Sequence, residues 1–250
     1  MKNKILSILI AFFAVLVCLC YGGPLLNYVH NYYLDYEHYV YLGGENIVID
    51  YKTPSEPNAA AADNEYATIG TITYINKNRT YGAVAHKISN HKIKSGNIYI
   101  TPVNGVIKSS KTRIGEKNVI IGYNDSNGNI STINDTGIYG TYNYDFTNKP
   151  LMKIAMPSEI EKSEAYIYTV VEGEKIEAYK IEIIKVFYGR KSHNIYFRIV
   201  DEKLLNTTGG VIKGMSGSPI VQNGKIIGAI SHVEDNDPTC GYGLFITYMI

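Results

Sequence analysis

Tryptophan is absent from the 250 residues, cysteine occurs only three times, leucine 12 times against 35 isoleucines, and neither sign of charge is in excess. With 24 basic and 23 acidic residues the formal net charge is +1, which excludes a nucleic-acid-sized electrostatic footprint. Cys18 and Cys20 fall in an apolar N-terminal stretch and only Cys240 lies outside it, so the soluble part has no pair from which to build an intrachain disulfide. Neither His-Glu-x-x-His nor paired Cys-x-x-Cys occurs, so the reading includes no metal and no cofactor. The dearth of leucine beside isoleucine and 23 tyrosines disfavours helix and favours pleated sheet. Length permits one large barrel or sandwich domain or two smaller lobes, with enough chain to bury a sizeable core.

Lys2 and Lys4 precede an apolar run from Ile5 to Leu26. As a helix rising about 1.5 Å per residue, that run spans the roughly 30 Å hydrocarbon layer. Positive charge before it places the amino end in the cytoplasm and the remainder on the far side. The reading is a single uncleaved transmembrane helix; Cys20-Tyr21-Gly22 leaves signal-peptide cleavage open. Residues 1–27 are thus anchor or signal. Residues 28–66 read as a tyrosine-rich stalk followed by a linker, Thr53 to Glu65, with two prolines and a run of alanines. His30 and His38 in the stalk read as solvated or interfacial.

From Ala67 onward the chain alternates in short segments such as TIGTITYI, EAYIYTVV and NIYFRIV, separated by turn residues. This spacing, with little helical period, predicts an all-β barrel or sandwich of antiparallel strands over residues 67–250. Asn223-Gly224 between two apolar runs is the strongest hairpin signal, and Asn127-Gly128 is a second candidate turn. The longest helix expected is a turn or two around Ser158 to Lys162.

The hexapeptide Gly214-Met215-Ser216-Gly217-Ser218-Pro219 sets a serine between two glycines and ahead of a strand, a hairpin and another strand. It resembles the nucleophile loop of chymotrypsin-like serine proteases, in which backbone N–H groups of the first glycine and of the serine face the developing oxyanion. Gly214 and Ser216 are the matching donors. A serine hydroxyl needs an imidazole to take its proton, and His86 ends an upstream apolar strand, YGAVAH. His86 before Ser216 is the chymotrypsin-type order, not that of the α/β-hydrolases. His91 and His193 lie in polar turns and read as surface residues. A third residue must orient the imidazole; Asp125, Asp135, Asp145 and Asp201 all lie between the pair, and spacing does not choose among them.

The run from Asp201 to His232 (DEKLLNTTGGVIKGMSGSPIVQNGKIIGAISH) resembles the signature of the stage IV sporulation protein B peptidases, the S55 family. The likeness continues through Asp237-Pro238-Thr239 and back through Ile69-Gly70-Thr71 and Tyr81-Gly82-Ala83 to His86. It implies a chymotrypsin-like double β-barrel behind a single transmembrane helix, and a triad in which His86, Asp201 and Ser216 match the family's order. The chymotrypsin-like spacing keeps Asp135 as the reserve for the third member. Ser231 and His232, on the strand after the nucleophile hairpin, are the expected substrate-binding residues. Family members are membrane-anchored, self-processing endopeptidases that cleave a membrane-bound regulatory partner between the two forespore membranes during sporulation. The resemblance therefore implies a protein or peptide substrate, a membrane association, self-cleavage and an extracytoplasmic peptidase domain. The family's PDZ-like domain has no counterpart, since Tyr41 to Asn46 runs almost directly into the linker. The rival reading is a catalytically incompetent, protease-like binding module.

Overall fold

The computed structural model describes residues 39–52, 67–85, 95–120 and 126–250. The N-terminal apolar run and His30, His38, His86, His91 and Asp125 lie outside the described residues. Among the described residues no helix is long and apolar enough to cross a membrane.

The first lobe comprises β1 (Tyr39–Leu42), β2 (Asn46–Lys52), β3 (Ala67–Ile75), β4 (Thr80–Ala85), β5 (Ser95–Ile100), β6 (Val103–Ile107), β7 (Glu116–Val119), β8 (Gly128–Ile130), β9 (Thr132–Asn134), β10 (Gly137–Thr141) and β11 (Leu151–Ile154). Hydrogen bonds run β10-β4-β3-β2-β5-β8, and an isolated bridge from Gly128 to Tyr142 joins β8 back to the end of β10. That bridge closes a ring. Inside it sit Ile47, Ile49, Ile72, Ile75, Ile98 and Tyr81. Ile47 and Ile49, spaced i, i+2 in β2, share the inner face, while Val48 between them is buried on the other.

The second lobe comprises β12 (Glu164–Val170), β13 (Ile176–Val186), β14 (Ile195–Ile199), helix α1 (Glu202–Thr208), β15 (Pro219–Gln222), β16 (Lys225–Glu234) and β17 (Asp237–Phe245). Its strands run β15-β12-β13-β14-β17-β16, and pairing of β15 with β16 closes a six-stranded barrel. Ala165 and Ile167, Ile181 and Ile183, and Ile195, Phe197 and Ile199 point inward from three successive strands, while Tyr166, Glu182, Tyr196 and Arg198 between them take the outer face. The chymotrypsin-like pair of β-barrels predicted from the sequence is therefore present. A parallel pairing of β11 with β16, continued through β1 to β3, runs one sheet across both lobes.

Three local readings are refined. The sequence reading starts the folded domain at Ala67, yet β1 and β2 belong to the first lobe, with Ile47 and Ile49 fully buried. Asn127-Gly128 is not a tight hairpin turn: Asn127 Oδ1 accepts from the Ile100 N–H at 2.7 Å and Gly128 opens β8. The stretch around Ser158 is one 3-10 turn, Pro157–Glu159, whereas α1 is the longer helix. Asn223-Gly224 behaves as read, with φ of 50° and 73° in the two-residue turn that a right-handed hairpin twist requires.

Candidate active site

The serine loop leaves α1 through Gly209 and reaches β15 at Pro219. It is clamped from both lobes. Thr71 on β3 donates its backbone N–H to the Ser216 carbonyl at 2.8 Å and its Oγ1 to the Gly214 carbonyl at 2.8 Å. Two residues further along β3, Thr73 Oγ1 donates to the Gly217 carbonyl at 2.8 Å. On the other side, the Gly217 N–H donates to the Ile230 carbonyl and the Ile230 N–H to the Ser218 carbonyl. Met215 is fully buried in the core of the second barrel. Ser216 thus stands on the second barrel and is held by the first, with 4% of its surface exposed.

Gly217 is a point of close approach between the lobes. A Cβ there would fall against the Thr71 carbonyl and 2.8 Å from the Val84 backbone nitrogen, with φ at +92°. Thr71 and Val84 are opposite each other in the β3–β4 ladder. The described part of β4 ends at Ala85, immediately before His86, which lies outside the described residues.

Backbone donors around the serine divide into two kinds. The N–H groups of Lys213, Met215, Gly217 and Ser218 all reach carbonyls, of Gly115, Ile212, Ile230 and Met215 respectively. Among the described residues the Gly214 N–H has no acceptor. A buried, unmatched donor is costly unless a ligand or solvent meets it, so Gly214 is available to an incoming oxygen.

The aspartates part company. Asp201 caps α1: its Oδ1 accepts from the Leu204 N–H at 3.0 Å and its Oδ2 from the Lys180 N–H at 3.2 Å. It follows β14, which lies opposite β15 in the six-strand ring, three strands away in either direction. Asp135 lies in the turn between β9 and β10, where Asn134 Oδ1 accepts from the N–H groups of Thr136 and Gly137. β10 runs antiparallel to β4 with Ile138 opposite Ala83, so this turn stands at the end of β4 where the described strand stops. Asp145 is at the other end of β10, bound to Thr147.

Ser231 and His232 adjoin the serine loop through Ile230 but point to different places. Ser231 is buried and donates to the Tyr242 carbonyl at 3.1 Å. His232 is exposed and stacks on His193, with ring centroids 4.2 Å apart. His193, read from the sequence as a surface residue, is half-buried by this stacking and by an edge contact with Tyr242. A groove of about 510 Å³ lies here, lined by Arg190, His193, His232, Glu234 and Tyr242 among others. A second, of about 540 Å³, separates the Lys111–Arg113 turn and Lys213 from Glu234 and Asp235. Past Ile230 no described strand pairs with the β15-facing edge of β16.

One residue of this region went unread in the sequence. Lys117, in a polar four-residue strand, is 1% exposed. Its Nζ donates to Asn46 Oδ1 at 3.2 Å and Thr169 Oγ1 at 3.0 Å, and burial lowers its pKa to about 7.

The family described as SpoIVB peptidase S55 matches residues 61–250. No curated protein matches the chain. Among solved structures the chain is similar to the active form of the Rv3671c protease from M. tuberculosis, at 13% identity and a TM-score of 0.46, over 82% of this chain and 77% of that one. The inactive form of that protease gives 12% identity and a TM-score of 0.45, over 82% and 85%.

Proposed function

Because the chain belongs to the SpoIVB peptidase S55 family and is a serine peptidase acting on protein, we propose that it is a membrane-anchored endopeptidase in which Ser216 is the nucleophile and His86 the general base. One observation carries this reading: Gly217 packs directly on Thr71 and Val84, so the serine loop of one barrel meets the strand of the other that leads into His86. His86 takes the hydroxyl proton as Ser216 Oγ attacks the scissile carbonyl. The tetrahedral oxyanion accepts from the N–H groups of Gly214 and Ser216, the amine leaves with the proton from His86, and water repeats the sequence on the acyl-enzyme. An extended substrate runs alongside β16 past Ile230, with Ser231 and His232 flanking it.

By family resemblance Asp201 is the third member of the triad. A second reading assigns that role to Asp135, and the register of β10 on β4 favours it, since Asp201 spends its carboxylate oxygens on α1 and Lys180. By the same resemblance the peptidase domain is extracytoplasmic and cleaves a membrane-associated regulatory partner during sporulation, with self-cleavage on the way.

A fluorophosphonate probe tests the assignment. Wild-type protein is expected to label at Ser216, and His86→Ala is expected not to; a folded wild-type protein that never labels would return the chain to the binding-module reading. Asn caps a helix as well as Asp, so Asp201→Asn keeps α1. If Asp201 orients His86, Asp201→Asn slows turnover by about 10⁴-fold. If Asp135 does, that loss appears in Asp135→Asn and Asp201→Asn stays active.

A further inference from the structure

Lys117 is a fully buried amine with no ion-pair partner among the described residues, at the junction of three elements that build the site. It lies on β7, the second strand of a hairpin that follows β5 in the first lobe and docks on the second. Val103 at the start of that hairpin bridges to Gly173, and Glu116 bridges in parallel to Lys213. The Lys117 N–H donates to the Lys213 carbonyl at 3.1 Å, and the Lys213 N–H donates to the Gly115 carbonyl at 2.8 Å. The backbone of β7 therefore grips the residue just before Gly214.

The side chain then runs beneath the loop. Its Cγ and Cδ methylenes would lie 3.2 and 3.0 Å from a Cβ placed on Gly214, so they form the floor on which Gly214 rests. Its ammonium ends between Asn46 on β2 and Thr169 on β12, one from each barrel. Asn46 is in turn opposite Thr71 in the β2–β3 ladder, and Thr71 is the residue that holds the carbonyls of Gly214 and Ser216. The loop is thus enclosed by one connected set of bonds in which, among the described residues, Lys117 supplies the one charged side-chain donor.

We infer that Lys117 is a positioning residue for peptide hydrolysis: its ammonium ties Asn46 to Thr169 across the two barrels and so holds the Gly214 N–H where the oxyanion forms. This rests on the serine-peptidase reading of Ser216. The ammonium bonds are charge-assisted and lose most of their strength when the amine is neutral. Among the described residues the groups that meet Nζ are neutral, Asn46 from β2 and Thr169 from β12, while Gly214 meets only the methylenes. The acids nearest along these elements lie elsewhere: Glu45 is ion-paired with Lys149, and Glu116 is beside Lys213 on the backbone bridge. Burial alone lowers its pKa to about 7, so the amine changes charge near neutrality. Deprotonating the base activates the serine as pH rises, and deprotonating Lys117 then loosens the loop, so acylation follows a bell whose alkaline limb belongs to Lys117.

The test is the pH profile of fluorophosphonate labelling and of peptide turnover for wild type, Lys117→Met and Thr169→Val. Lys117→Met keeps the methylene floor and is expected to cut kcat by at least 10-fold, with KM within about twofold and no alkaline limb. Thr169→Val removes one acceptor of the charged amine at constant volume and is expected to move the alkaline limb to lower pH. Should Lys117→Met not fold, Thr169→Val decides. Wild type that labels, with an alkaline limb unmoved in Thr169→Val or retained in Lys117→Met, overturns the inference and leaves the serine-peptidase reading standing. Folded wild type that does not label overturns both.

Discussion

Replacing Gly217 with alanine probes the contact on which the site depends. The residue has φ of +92°, where a side chain costs about 1–2 kcal/mol. The added methyl also meets two backbone atoms, the Thr71 carbonyl and the Val84 nitrogen, the latter at 2.8 Å. Those atoms belong to paired strands and have no rotamer to change, so the strain is that of an overpacked core, about 1–3 kcal/mol. Gly224→Ala is the matched control: its φ is 73° and nothing lies within 4 Å of the new methyl, so only the backbone cost of about 1–2 kcal/mol applies. The chemical consequence differs more sharply. Gly217→Ala relieves its clash by parting the serine loop from β3 and β4, and a displacement of about 1 Å in a reacting pair costs on the order of 10²-fold. Denaturant midpoints and fluorophosphonate labelling rates of the folded proteins measure the two effects. Gly217→Ala is expected to be the less stable by about 1–3 kcal/mol and to label on the order of 100-fold more slowly, while Gly224→Ala labels at the wild-type rate. Wild-type labelling by folded Gly217→Ala would refute the claim that this approach of the two barrels sets the geometry.

Thr71→Val keeps a β-branched side chain in β3 but leaves the Gly214 carbonyl without its donor, a loss of about 1–3 kcal/mol for a buried acceptor; labelling should slow, and Thr71→Ser should restore it. Lys117 also makes stability depend on pH. Its folded pKa, about 7, is below the usual 10.5, so between these values the unfolded chain holds a proton that the native chain does not. Stability therefore rises with pH across that window, by about 1.4 kcal/mol per unit from this group, and the rise disappears in Lys117→Met when chemical denaturation is repeated at pH 7, 8 and 9. Activity and stability would then move in opposite directions above neutrality.

Features written in consecutive residues were legible without coordinates. Asn223-Gly224 specifies its turn because both positions take positive φ. The alternation in EAYIYTV or NIYFRI assigns inward and outward faces directly, and the Gly-rich hexapeptide around Ser216 marks a turn-rich loop ahead of β15. Helix α1 carried its signals as well, an aspartate N-cap at 201 and a left-handed Gly209 beyond its last turn, but seven residues show too little periodicity to stand out among strands. Asp201 shows the limit of such reading: its bond from the Leu204 N–H belongs to the capping pattern, whereas its bond from the Lys180 N–H depends on β13 lying beside β14, which no run of neighbouring residues discloses.

Sequence alone thus determined the strand-rich class and the glycine-flanked loop ahead of β15, because propensity, turn chemistry and short motifs act over a few neighbouring residues. Only the tertiary structure decided that β1 and β2 complete the first lobe, that Gly217 touches Thr71 and Val84, and that Lys117 is buried beneath Gly214. The lysine and the glycine are 97 positions apart in the chain and meet through the closing of two barrels, a non-local event that no window of residues encodes.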